Sequence, residues 1–257
     1  MILSDIRTEA RRKLDGKWGK AALITLAFFA INFAINFIEN LLPDDFNWFF
    51  SIINAIIDIP LTFGFIFSLF KLFKDEEVKY LEFLSLGFEN FGKSWGITFQ
   101  IFLKMLLPTI LVIFSYILIL VGITVYGVAL YSTAKYDIYL MLLIVGIILF
   151  VVSVIWAVTK SYYYQLSYFV AMDNPEMSAE DAVAESEKLM TGKRGKLFCL
   201  QLSFIGWAIL ASFTAFIGFL WLIPYVYFAT MIFYEFVKGN ISYSQIDIIN
   251  DDNPIQE

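Results

Sequence analysis

The sequence predicts an all-α membrane protein with about six transmembrane helices, both termini in the cytoplasm and amphipathic helices at the membrane surface. Sixty per cent of its 257 residues are hydrophobic and only 16% are charged, whereas soluble domains carry about half apolar and about a quarter charged residues. The apolar residues form runs of about 18 or more, the length that a helix needs to cross about 30 Å of hydrocarbon. The positions of the basic residues between these runs indicate an orientation.

Residues 1–20 are predicted to form a basic amphipathic helix. Their apolar side chains recur at helical spacing, at Leu3, Ile6, Ala10, Leu14 and Trp18. A helix of this kind lies in the headgroup region, with its apolar stripe in the membrane and its cations towards anionic lipid. We therefore expect anionic lipid as a partner of this helix. The following apolar run leads to Glu39 without a small-residue cleavage site, so it is interpreted as the first span rather than as a signal peptide.

A single membrane domain is predicted over residues 21–238. Its six apolar segments cover residues 21–38, 46–73, 95–130, 138–159, 197–219 and 222–237. Pro60 and Pro108 each remove a backbone donor inside an apolar segment, so each is expected to kink or break its helix. In the third segment we expect an interfacial stretch up to Leu107, followed by a span from Pro108. Pro224 is expected at a helix start, where its missing donor is harmless.

A cytoplasmic surface helix is predicted over residues 178–191. Ser178 and Asp181 have the spacing of a capping box, and Gly192 is placed to end the helix. The less polar side of this helix is expected to rest on the bilayer. Residues 239–257 form a polar tail that is predicted to be cytoplasmic.

The lysines and arginines predict the orientation of the spans. Sixteen of the 18 fall before the first span, in alternate loops or after the last span, whereas Lys135 lies on the other side and Lys104 lies inside an apolar segment. The positive-inside rule then places both termini in the cytoplasm.

The composition argues against most catalytic chemistry. Histidine is absent, which removes the commonest proton carrier at neutral pH and the commonest metal ligand. The one cysteine, Cys199, lies in an apolar run and is interpreted as a packing residue. We expect no enzyme activity, no cofactor, no metal and no nucleic-acid partner.

Residues 87–94 match the G-x-x-x-x-G-K-[ST] pattern of a phosphate-binding loop. That motif joins a buried strand to a helix in an α/β sheet, whereas here it precedes a membrane helix and contains two phenylalanines. We therefore interpret it as a loop in which the glycines turn the chain and Lys93 marks the inner interface, and we expect no nucleotide to bind.

Asp58 is the sharpest candidate for a functional site. It lies near the middle of the second apolar segment and close to Pro60, and an acid at that depth is costly unless it is protonated, paired or in contact with water. Lys104 of the third segment is a candidate partner, and snorkelling to the inner headgroups is the alternative for its ammonium. A structural, hydrogen-bonded role is the alternative for Asp58.

Small residues recur along the fifth apolar segment, at Ala211, Thr214, Ala215 and Gly218 among others. Such a pattern allows close helix approach. Packing inside the protein is one interpretation, and a homo-oligomer seam is the other.

Several stretches of the chain together resemble a bacterial membrane protein family, the domain-of-unknown-function family 975. They are RTEARRKLDGKWGK, FLSLGFENFGKSW, MDNPEMSAEDAVAESEKLMTG, LFCLQLSFIGWAIL, TAFIGFLWLIPY and FYEF. The resemblance covers most of the chain from Arg7 to Phe236 and is weakest between Leu111 and Ile155. It implies a multi-span inner-membrane protein, with no catalytic residue and no substrate to carry over.

Two function classes follow from the sequence. The first is a non-enzymatic transporter or exporter-like protein that handles an amphipathic, lipidic or peptide cargo. The alternative is a structural or assembly subunit that binds another membrane protein.

Overall fold

The computed structural model describes residues 3–41, 43–129 and 137–240. Within them the chain forms eleven helices: α1 (Leu3–Leu14), α2 (Trp18–Leu41), α3 (Asp44–Phe73), α4 (Glu82–Glu89), α5 (Phe91–Ala129), α6 (Asp137–Ser161), α7 (Ser167–Asp173), α8 (Ala179–Met190), α9 (Arg194–Leu202), α10 (Ile205–Phe213) and α11 (Phe219–Lys238). Six helical segments in these ranges are long and apolar enough to cross a membrane, and the protein is an all-α polytopic membrane protein. The predicted tail, from residue 241 onwards, lies outside the described residues.

The buried core surrounds α11, of which twelve residues are buried. The second half of α3 contributes Leu61, Phe63 and Leu69 to this core, each at most 2% exposed. Helices α1, α2, α4, α5 and α7 to α10 also contribute to it, with residues such as Leu14, Phe83 and Val170. Because these apolar side chains cover one another, helix packing rather than lipid surrounds this part of the chain.

The N-terminal helix differs from the sequence prediction. Its apolar stripe, Ile6, Ala10 and Leu14, is buried against the core instead of facing lipid. The Tyr225 hydroxyl of α11 also donates a hydrogen bond of 3.1 Å to the Arg7 carbonyl oxygen. The pattern was amphipathic, but a pattern alone does not say whether protein or lipid covers the apolar side.

The fifth span is present as residues Arg194–Phe213, and it consists of two consecutive helices, α9 and α10. Helix α9 ends at Leu202 and α10 ends at Phe213, and residues 214–218 form a turn in which Ala215 and Phe216 have positive φ values of 50° and 67°. Helix α11 then begins at Phe219, so Pro224 lies inside the helix and not at its start as expected. Hydrogen bonds in the turn, such as the 3.1 Å bond from the Leu222 amide to the Gly218 carbonyl, start this helix early.

The surface helix forms as predicted, but it rests on protein. The Ser178 hydroxyl accepts a 3.1 Å hydrogen bond from the Asp181 amide, and Gly192 has a positive φ of 74°. Ala182, Val183 and Met190 of α8 are fully buried. They are covered by neighbouring helices, chiefly α5 and α7.

Candidate functional site

Asp58 is exposed on the first half of α3, where its apolar neighbour Ile56 is exposed as well. Within the described ranges, its carboxylate makes no hydrogen bond or ion pair. Its charge acts on the Tyr168 hydroxyl, which is hydrogen-bonded to Thr98 Oγ1 at 2.9 Å. Burial raises the pKa of the Tyr168 phenol, and the Asp58 charge adds to that rise. Asp58 therefore lies outside the packed core, because residues 48–59 of α3 are exposed or half-buried and full burial on this helix begins at Pro60.

Lys104 does not approach Asp58. Its ammonium lies 2.9 Å from Glu187 Oε2 of α8 and 5.9 Å from the centre of the Tyr164 ring. Burial raises the pKa of Tyr164 to about 12, and the Glu187 charge acts in the same direction. The partner of Lys104 was missed because Glu187 is one of several acids on a surface helix, and only the packing of α8 shows which acid turns towards α5.

The two prolines lie within continuous helices. Helix α5 runs through Pro108 for 39 residues, so no separate interfacial helix precedes that proline. Pro60 lies inside α3, where it removes the amide that would bond to the Ile56 carbonyl four residues earlier. The Trp95 indole N–H of α5 occupies this carbonyl instead, at 3.1 Å. The Ile56 carbonyl oxygen, which Pro60 leaves without its helical partner, thus accepts a hydrogen bond from Trp95. It forms no polar site together with Asp58.

Glycines bring α4 into direct contact with α3 beside Pro60. A Cβ atom at Gly87 would lie 2.2 Å from the Pro60 carbonyl oxygen, and one at Gly64 would lie 2.0 Å from the Phe83 carbonyl oxygen. No side chain fits at either contact. The glycines of the G-x-x-x-x-G-K-S string therefore do not turn the chain, because Gly87 lies in α4 and Gly92 lies in α5.

Lys93 of the same string is engaged in a structural contact. Its ammonium donates to the Asn174 and Pro175 carbonyl oxygens, at 3.2 and 2.6 Å. The string thus ties the start of α5 to the turn between α7 and α8. The described residues contain no strand that could precede a phosphate-binding loop.

Three of the predicted packing residues lie in the turn between α10 and α11 and not on a helix. The Gly218 amide donates to Thr214 Oγ1 at 2.8 Å, and a Cβ atom at Gly218 would lie 2.9 Å from the Ala211 Cα atom. Ala211 is buried, whereas Ala215 is exposed. The close approach therefore occurs inside one chain, between the end of α10 and the start of α11.

The apolar hairpin of α2 and α3 carries a polar seam that sequence reasoning missed. Glu39 accepts hydrogen bonds from the Ser51 hydroxyl and from Asn54 Nδ2, the latter at 3.1 Å. Ser51, Asn54 and Asp58 follow one another on α3 at spacings of three and four residues, which places them on one helix face. That spacing is visible in the sequence and is the signal that could have revealed the seam.

A partly open groove of about 530 Å³ lies beside the core, between α3, α7 and the helices α9 to α11. Its walls are mainly aliphatic and aromatic, and they include Ile66, Phe169, Ala208, Phe219 and Val226. Polar groups also line it: Gln165, Tyr168, Gln201, Tyr227 and Thr230. Gln201 is held in place because its Nε2 atom donates to Gln165 Oε1 at 2.8 Å and its Oε1 atom accepts from the Tyr162 hydroxyl at 2.8 Å. An apolar groove with a few fixed polar groups is typical of a ligand site.

These features define a polytopic helical membrane protein whose candidate site is an apolar groove. Across the described part of the chain, no group of three or more histidine, cysteine or acidic side chains is arranged to hold a metal ion. The chain belongs to DUF975, a family of proteins of unknown function, whose family model matches residues 1–241. Neither the curated proteins nor the solved structures contain a match to the chain.

Proposed function

We propose that this protein accommodates an amphipathic, lipid-like cargo in the bacterial plasma membrane, as a non-enzymatic transporter or exporter-like protein. The groove between α3, α7 and α9 to α11 carries the proposal. Its volume of about 530 Å³ lies within the range of small-molecule sites. Its lining combines apolar walls with amide and hydroxyl groups, which matches a cargo that has both an apolar and a polar part.

The wall on the α10 side connects the groove to the apolar surface of the protein. Ile205 lines the groove and is 49% exposed, and neighbouring Ile209 is 54% exposed. Apolar side chains with this exposure face lipid in a membrane protein. A cargo dissolved in the bilayer would therefore reach the groove from the side, without crossing a polar surface.

Filling the groove tests this proposal. Ala208 lines the groove, so Ala208→Trp places an indole inside it. Ser212 lies one turn later on the same helix and is exposed outside the groove, so Ser212→Trp is the matched control. The full chain, in lipid nanodiscs, is irradiated with a lysophospholipid that carries a photoactivatable acyl chain, and the labelled peptides are identified by mass spectrometry.

We expect the wild-type protein and Ser212→Trp to be labelled on groove residues of α7, α10 and α11. Ala208→Trp should lose at least about four-fifths of this labelling while keeping labels on exposed α6, because the indole occupies the space of the cargo. Equal groove labelling in Ala208→Trp and in the control would rule the groove out as the cargo site.

A second function, assembly with another membrane protein or with a second copy, is favoured by the polar face of α2. Asn32, Asn36 and Asn40 each donate to the carbonyl four residues earlier on their own helix. Asn36 and Asn40 are exposed on an otherwise apolar helix. Amide side chains in apolar helices promote helix association by bonding across an interface.

Disulfide trapping separates assembly from cargo handling. In a Cys199→Ser background, Asn36→Cys should cross-link between chains in membranes if the asparagine face is a self-association interface. Ile148→Cys, on exposed α6, is the control. If neither cysteine variant cross-links, self-association through this face is ruled out. Cargo binding in the groove is then the better-supported function.

A further inference from the structure

A second groove, of about 520 Å³, lies between α1, α10 and α11. Aromatic side chains supply much of its wall: Trp18, Trp207, Trp221 and Tyr225. Arg7 and Arg11 also line it. The two grooves have only Leu222 in common among their lining residues, so this second site does not depend on the cargo groove.

The architecture fixes both arginines towards the same space. Arg7 and Arg11 are four residues apart on α1 and therefore lie on one helix face. The hydrogen bond between the Tyr225 hydroxyl and the Arg7 carbonyl holds α1 against α11 at this level. The rings of Trp18 and Tyr225 lie 5.9 Å apart, and Phe204 meets Tyr225 edge to face at 5.0 Å.

The arginines differ in their pairing from other cations near them. Arg12 pairs with Glu9 at 2.7 Å, and Lys13 and Lys17 both pair with Asp75. In the described ranges neither Arg7 nor Arg11 forms an ion pair with a carboxylate. An arginine stays charged under all ordinary conditions. Two permanent positive charges therefore face the groove, and no carboxylate among the described residues pairs with them.

The surroundings of this charge pair define the chemistry of its partner. Trp207, Leu210 and Trp221 line the same groove and are 55%, 59% and 46% exposed. Guanidinium groups bind phosphate oxygens with matched geometry, and tryptophan side chains favour the boundary between headgroups and acyl chains. A free inorganic anion would satisfy the charges but would leave the apolar wall uncovered.

We propose that this groove binds an anionic phospholipid. Arg7 and Arg11 hold the headgroup phosphate, and the first segments of the acyl chains lie on Trp207, Leu210 and Trp221. The bound lipid would complete the contact between the N-terminal helix and the α10–α11 hairpin.

Tryptophan quenching by brominated lipid tests this site, because three tryptophans line it. The full chain is reconstituted in vesicles that contain dibrominated phosphatidylglycerol or, in a parallel series, dibrominated phosphatidylcholine. The measured quantity is the ratio of the two lipids' apparent affinities for the quenched tryptophans. We expect a clear preference for phosphatidylglycerol in the wild-type protein and a loss of about tenfold in that preference in Arg7→Gln/Arg11→Gln.

Lys20→Gln is the matched control. Lys20 belongs to the same basic segment but lines a different pocket, beside Glu77 and Glu82, so its loss removes one charge without touching this site. Arg11 is exposed, so Arg11→Gln alone gives a milder variant if the double variant does not fold. We expect Arg11→Gln to lower the preference and Lys20→Gln to leave it unchanged.

Three results would overturn the proposal. A wild-type preference that survives Arg7→Gln/Arg11→Gln would show that the arginines hold no headgroup. If Lys20→Gln lost the phosphatidylglycerol preference to the same extent as the double variant, general surface charge would be what attracts the lipid. Displacement by inorganic phosphate, but not by chloride at the same ionic strength, would assign the site to a free phosphate ion.

Discussion

The two halves of α5 illustrate two ways in which an apolar helix is stabilised in this protein. In the first half, Ile97 is fully buried, and the Lys104 ammonium ends this half with its ion pair to Glu187. In the second half, Ile113 is 53% exposed, and the main protein neighbour is α6. The first half of α5 therefore belongs to a closely packed core. The second half belongs to an apolar hairpin whose outer side chains are exposed.

The two halves also differ in how specifically their side chains select a neighbour. In the core half, the close approach of Gly96 to Ala179 and the ion pair of Lys104 with Glu187 fix α8 as the neighbour. In the hairpin, Gly122 and Gly146 bring α5 and α6 together, and the Ser115 and Ser153 hydroxyls lie 3.2 Å apart. Many other hairpin side chains are about half exposed, among them Ile117 and Ile148. Lipid satisfies an apolar surface without selecting any one partner for it.

The largest effect on stability is expected at the ion cluster that Lys74 forms with Glu235 and Asp173 beside the core. Lys74 lies 2.5 Å from the buried carboxylate of Glu235 and 3.5 Å from Asp173. Lys74→Ala should lower the free energy of unfolding by about 3–5 kcal/mol, because it leaves a buried acid without its cation. Denaturation in mixed detergent micelles measures this, with Lys188→Ala on the exposed side of α8 as the control.

The same cluster predicts a pH dependence. Burial would raise the pKa of Asp173, but the lysines Lys238 and Lys74 outweigh it, so the pKa of this carboxyl is lowered. A lowered folded-state pKa stabilises the folded protein above the unfolded pKa of about 3.9, and this contribution is lost as the pH falls through the folded-state value. Asp173→Asn should reduce the loss of stability below about pH 4. An unchanged acid profile in this variant would contradict the assignment.

A matched pair of substitutions on α5 tests the comparison directly. Ile97→Ala should lower the free energy of unfolding by about 2–5 kcal/mol, because it opens a cavity in the core. Ile113→Ala should change it by less than about 1 kcal/mol, because lipid covers the position in both variants. Equal costs at the two positions would show that the hairpin is packed as specifically as the core.

A smaller effect is expected at the carbonyl that Pro60 leaves free. Trp95→Phe removes the indole donor to Ile56 and should cost about 1 kcal/mol. In a Pro60→Ala background the restored amide occupies the carbonyl, so the same change should cost nearly nothing. A double-mutant cycle measures the coupling between the two positions. Additive energies would show that the tryptophan contributes by packing alone.

The smallest effect is expected for nucleotides. Lys93→Ala breaks the contact with the Asn174 and Pro175 carbonyls and should destabilise the turn before α8. It should not change the affinity for ATP, since we expect none in either protein. Equilibrium dialysis with labelled ATP measures this. ATP binding that is present in the wild type and lost in the variant would restore the phosphate-loop interpretation of residues 87–94.

The sequence by itself determined the helical class, the apolar segments and the capping of α8. Runs of apolar residues and a Ser-x-x-Asp spacing are local signals, and the helices in these places follow them. The topology with both termini inside the cytoplasm also rests on a local signal, the distribution of lysine and arginine, and it stays a prediction.

Only the tertiary structure decided which groups meet. Lys104 pairs with Glu187 and not with Asp58, the stripe of α1 faces protein and not lipid, and the Ile56 carbonyl bonds to Trp95. Each of these contacts joins residues on different helices. In an apolar chain, lipid and protein cover an apolar side chain about equally well, so the pattern of apolar residues does not distinguish them. The choice is made by small steric and polar details, such as the two glycine contacts between α3 and α4.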